Sequence, residues 1–120
     1  KDKLDSKESS ERYWAVTWLG VNKAEPARDE VQKLLTDNEP SVRIAANLAL
    51  YKIDPDYNPI PALGKELDHP NLIVGMYAMN AIEQTEIRNE EVKSIARKAL
   101  NSKYEFTMRF AKYLMEDDGI

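Results

Sequence analysis

Three segments of this chain align at steps of 31 and 32 residues, and a period of that length restricts the fold to a stack of small supersecondary units. The clearest copy is Pro40-Ser-Val-Arg-Ile-Ala-Ala-Asn-Leu-Ala-Leu50. Moving back 31 residues places Arg12 on Arg43, Ala15 on Ala46 and Leu19 on Leu50. Moving forward 32 places Ala78 on Ala46, Ala81 on Ala49 and Ile82 on Leu50. A weaker fourth copy puts Ala111 a further 33 residues along, followed by Leu114 and Met115. Between successive copies lies a second apolar stripe: Ala27, Val31, Leu34 and Leu35; then Ile60, Leu63 and Leu67; then Val92, Ile95, Ala96, Ala99 and Leu100. Each stripe has the i, i+3, i+4 spacing of an amphipathic helix.

No segment shows the period-2 alternation of a strand. The 120 residues include only 4 Gly and 6 Pro, too few for a sandwich that turns every ten residues or so, while 42% hydrophobic residues suffice for a packed core. Prolines open helices at Pro26, Pro59 and Pro61, where the first turn tolerates them. Asp37–Pro40 and Asp68–Pro70 form turns inside units, and Asp54–Asn58 links two units. The spacing predicts about seven helices, over 10–22, 26–36, 41–53, 59–68, 72–86, 89–101 and 105–117. The expected core is Ala15, Leu19, Val31, Leu35, Ala46, Leu50, Leu63, Leu67, Ala78, Ile82, Ile95, Leu100 and Leu114.

The middle copy, through Asn38, Pro40, Val42, Arg43, Ala46, Ala49 and Leu50, resembles the HEAT-like repeat. The first copy matches at Arg12, Ala15, Leu19 and Gly20. The third lacks the arginine, with Ile73 or Val74 in its place, and the fourth keeps only apolar spacing. The resemblance implies an all-α fold: a short right-handed alpha-alpha solenoid forming one HEAT-like domain over 1–120, with units near 1–22 (partial), 26–53, 59–86 and 89–117. Seven helices make three and a half pairs, so the first helix lacks a mate and the chain reads as a fragment of a longer protein, with Lys3–Lys7 as the tail of the missing partner. The stretch Glu11-Arg-Tyr-Trp-Ala15 with Leu19-Gly20 further resembles the HEAT-like segment at the C-terminal end of some bacterial sulfatases. That resemblance implies a catalytic domain elsewhere in the parent, and export to the periplasm or beyond. The sulfatase nucleophile motif itself does not occur here.

Other chemistry is sparse. There is no cysteine, hence no disulfide, thiol nucleophile or thiolate zinc site, and His69 is the single histidine. A net charge of −4 opposes general nucleic-acid binding, which needs a basic face. No apolar run approaches a membrane span. Asp54-x-Asp56-x-Asn58 has the first acidic spacings of a calcium loop, but Pro59 replaces its glycine and Lys65 its glutamate, so it reads as a linker turn. His69 has no apparent nucleophile to serve and reads as a turn residue. Glu90-Glu91 suits a helix start and Glu116–Asp118 a solvated end. No P-loop, GxSxG or GxGxxG motif is present.

The residues left to consider are aromatic, methionine and arginine. Arg12 and Arg43 are expected to tie neighbouring units together through carboxylates or helix-end carbonyls. Trp18 aligns with Ala49 and is expected in the core. Tyr13 and Trp14 lie on the side of the first helix that faces its absent mate, and serve either an interface or the core. Met76, Tyr77, Met79 and Met108 lie on later second helices, where they line either a partner groove or the core. The expected function is therefore a non-catalytic structural and protein-interaction module with no cofactor or metal, the alternative being a free-standing adaptor that binds a peptide on its concave face.

Overall fold

The computed structural model describes residues 2–100, and among them the chain is all helical, with no strand. The α-helices are α1 (Ser9–Val21), α2 (Arg28–Lys33), α3 (Pro40–Ile53), α4 (Ile60–Glu66), α5 (Leu72–Thr85) and α6 (Glu90–Leu100). Short 3-10 turns occupy Asp2–Asp5, Glu25–Ala27 and Leu34–Thr36. The expected helix over 26–36 is thus three pieces. Pro26 gives α2 a 3-10 entrance, and its last turn tightens into 3-10 geometry as helix ends commonly do. The expected helix over 105–117, with Met108 and Leu114, lies outside the described residues.

The chain divides into two compact units, Lys1–Ala62 and Leu63–Ile120. In the first, α1 packs along α3 and α2 covers one side of α3. Val16, Val31, Leu34, Val42, Ala46, Ala49, Leu50 and Ile53 make its core, with Ala15, Leu19 and Leu35 partly buried against it. Leu4, on the leading 3-10 turn, joins them at 4% exposure. α1 crosses α3 at Gly20, where an added Cβ would stand 2.7 Å from both Cα and Cβ of Ala49. A glycine here permits a close backbone approach that no larger residue allows. α3 also buries a polar side chain, Asn47, whose amide donates to the Arg43 carbonyl and whose oxygen accepts from the Tyr57 hydroxyl. Burial pushes the Tyr57 phenol above its ordinary pKa.

The second unit buries Leu63, Val74, Ala78, Met79, Ala81, Ile82, Val92 and Ala96. Asn71 caps α5 by accepting from the Ile73 N–H, and Asn89 caps α6 by accepting from the Val92 N–H. Glu90, in the first turn of α6, pairs with Lys93 at 3.4 Å and Arg97 at 3.8 Å. Among the described residues, a Cβ at Gly75, inside α5, would meet no atom within 4 Å. Gly75→Ala is therefore expected to stabilise the protein by about 0.5–1 kcal/mol, the cost of glycine in a helix interior. An unchanged or lower midpoint in urea unfolding would contradict that.

Candidate interaction surface

The residues singled out in the sequence fall into two groups, one internal and one exposed. Arg12 leaves α1 and holds Asp37, before α3, with two hydrogen bonds: Nε to Oδ2 at 2.8 Å and Nη2 to Oδ1 at 3.0 Å. Its Nη1 donates to the carbonyl of Ser6, six residues earlier, at 2.8 Å. Arg43 makes the corresponding bond, Nη1 to the carbonyl of Asp37, also six residues earlier, at 2.9 Å. Asp37 Oδ1 further accepts the Glu39 N–H, while Ser6 Oγ accepts the Glu8 N–H. So Ser6 and Asp37, 31 residues apart, close their turns in the same way, and the arginines six residues beyond each grip the same carbonyl.

Burial pushes the Asp37 carboxyl upward. The Arg12 hydrogen bonds, the Glu39 N–H and the positive charges of Arg12 and Arg43 outweigh it, so the group titrates below the usual carboxylate range. Asp54 is lowered too, chiefly by its bond from Arg28, whose Nη2 lies 2.8 Å from Oδ2. Asp54 Oδ1 accepts from the Asp56 N–H and Asn58 Oδ1 from the Ile60 N–H, so these side chains serve the linker's own backbone. Among the described residues no group of three or more acidic or histidine side chains is placed to hold a metal ion.

His69 closes a turn by the same i to i+2 bond, its Nδ1 accepting the Asn71 N–H at 3.0 Å. It stands 32 residues after Asp37, which makes Gly75, rather than Ile73 or Val74, the counterpart of Arg43. That shift of 32 is the one the apolar residues Ala78, Ala81 and Ile82 also give.

The exposed group corrects one expectation. Trp18 is not in the core: it is 64% exposed, beside Trp14 at 67% and Val21 at 63%. The repeat register places Trp18 on Ala49, which is buried because α1 lies on it. α1 has no described helix against its corresponding side, so the same register position is open there. Val16 and Gly20 are the residues α1 buries. Trp14 stacks edge-on with the partly buried Tyr13, ring centroids 5.2 Å apart. A fully buried tryptophan cut to alanine costs about 3–5 kcal/mol. Trp18→Ala is instead expected to change stability by less than about 0.5 kcal/mol, as at ordinary surface sites. A loss several times larger would place its ring in the core after all.

On α5, Met76 and Tyr77 are exposed along with Leu72 and Ile73, forming a second apolar patch, while Met79 is buried. Neither patch was legible from periodicity, since an exposed apolar stripe and a buried one have the same spacing. Among the described residues no helix is long and apolar enough to cross a membrane.

No known protein family matches the chain, and no curated protein does.

Proposed function

We propose that this chain is a non-catalytic structural and protein-interaction module, a right-handed alpha solenoid of HEAT-like helix pairs forming the C-terminal region of a larger bacterial protein such as a sulfatase. The observation that carries the stacked-repeat part of this reading is the pair of arginine contacts. Arg12 and Arg43 each grip the carbonyl six residues back, and Arg12 also spans to the Asp37 carboxylate of the next turn. A second support comes from the helix ends. Lys23 and Glu86, just past α1 and α5, both adopt positive φ, 49° and 61°, and their separation equals one step of 31 plus one of 32. The sulfatase assignment rests on Glu11–Ala15 and Leu19-Gly20 alone.

A free-standing adaptor is the second reading, favoured by the apolar patch of Leu72, Ile73, Met76 and Tyr77 on α5. Such a patch suits a peptide groove. The coding sequence upstream of Lys1 separates the two: an alkaline-phosphatase-like domain supports the first, and a start codon alone supports the second. The purified chain, incubated with 4-nitrophenyl sulfate and calcium, is expected to show no turnover. Metal-dependent turnover would overturn both.

A further inference from the structure

Resting on the stacked-hairpin reading, we infer that the Trp14–Trp18 face of α1 seats a further helical hairpin. Its helix would lie along α1 on the side that corresponds to the α1-facing side of α3, held further off by the two indoles than α1 is from α3, and bring a cation to Glu11. The register comes from the turns and arginines: Ser6 corresponds to Asp37 and Arg12 to Arg43, a shift of 31. On α3, Ala49 is the residue against which Gly20 of α1 rests, and Ala45, one turn earlier, packs against the same core. The same shift places Trp18 on Ala49 and Trp14 on Ala45. Trp18 therefore occupies the position at which α3 receives its neighbour, with Trp14 one turn before it, and the face continues the α1–α3 interface outward.

The charges follow the same correspondence. Arg12 reaches from α1 to the carboxylate at the turn before α3. At the equivalent turn before α1 stands Ser6, which has no carboxylate of its own, and Glu11 supplies one. Glu11 Oε1 accepts the Ser6 hydroxyl, and Oε2 pairs with Lys3 Nζ at 3.2 Å. Lys3 thus fills the place of an incoming arginine, through an exposed ion pair of the kind that contributes little and exchanges readily. A hollow of about 390 Å³, lined by Lys3, Ser10, Glu11, Trp14 and Ala15, adjoins the pair and can take an incoming side chain. The face thus calls for a helix with an apolar stripe of small residues and a basic residue in its first turn. The α1 sequence itself has that form in Arg12, Val16 and Gly20.

The test is a calorimetric titration of the full chain with a synthetic peptide of residues 6–24, carrying W14A and W18A and held helical by a staple away from Arg12. Saturable binding with a blue shift of the chain's tryptophan emission is expected. Trp18→Ala in the full chain should weaken binding at least about tenfold, as for a central aromatic anchor. Glu11→Gln should weaken it about threefold and flatten its salt dependence. Absence of heat and shift up to about 1 mM peptide, or binding indifferent to Trp18→Ala, would overturn the proposal. Concentration-dependent dimerisation that Trp18→Ala abolishes would assign the face to a second copy and overturn it equally. Failure here by a chain inert toward sulfate esters would leave the functional reading standing; turnover would remove that reading whatever the titration shows.

Discussion

Asp37→Ala is expected to cost about 2–4 kcal/mol, or roughly 10 °C in melting temperature. The side chain is only 7% exposed and its partner Arg12 only 14%, so truncation strands a guanidinium in a poorly hydrated place. It also removes the acceptor for the Glu39 N–H at the start of α3. The loss of a lone surface ion pair would be far smaller, because water screens it and competes for both partners. Arg12→Lys should cost less than Arg12→Ala yet still be measurable, since an ammonium cannot make the two parallel bonds of the fork.

The same pair sets a pH dependence. The Asp37 carboxyl titrates lower in the folded chain than in the unfolded one. Its contribution is therefore complete above the unfolded value near 3.9 and disappears as pH falls through the folded value. Asp54, lowered by Arg28, acts in the same direction. Melting temperature should fall steeply below about pH 4 in the native chain, and less steeply in Asp37→Asn. Equal slopes in the two would remove Asp37 from the acid transition.

Gly20→Ala is the second large effect, and here two opposing influences compete. Replacing a helical glycine by alanine gains about 0.5–1 kcal/mol in propensity. The new Cβ, however, would stand 2.7 Å from the Ala49 Cα, which is backbone and cannot rotate away. Forcing α1 from α3 costs about 1–3 kcal/mol in a packed core, so a net loss of about 1–2 kcal/mol is expected by chemical denaturation. Ala49→Gly should rescue this only in part, because the backbone of residue 49 lies as near to the new methyl as its side chain does. Gly75→Ala, the same substitution with no neighbour to meet among the described residues, carries the opposite sign.

The helices were legible because their apolar residues recur at i, i+3 and i+4, which ties α1, α3, α5 and α6 to the sequence within a residue or two. The arginine positions were legible as well, because the Pro-x-Val-Arg register marks them. Asp37 was seen only as a turn residue: a pattern along one helix contains nothing about which acid lies across from it, 25 residues away. The repeat register puts Trp18 in the core for the same reason. Alignment transfers the environment of α3 to α1, but burial at that position is conferred by a neighbouring helix. The exposed face that carries the candidate site is thus a property of what stands beside α1, and no single-helix pattern encodes it.

The leading 3-10 turn bears on where this domain can be cut. By composition, Lys1–Glu11 is a polar tail with one leucine, the sort of stretch usually trimmed when a recombinant boundary is chosen. Leu4 nonetheless fills the first unit's core, and the Ser6 carbonyl holds Arg12 in the orientation that reaches Asp37. A boundary drawn at the first residue of α1 would open a cavity and loosen the arginine fork together. The working edge of the domain therefore lies upstream of Leu4, and a tag or fusion joint belongs before it.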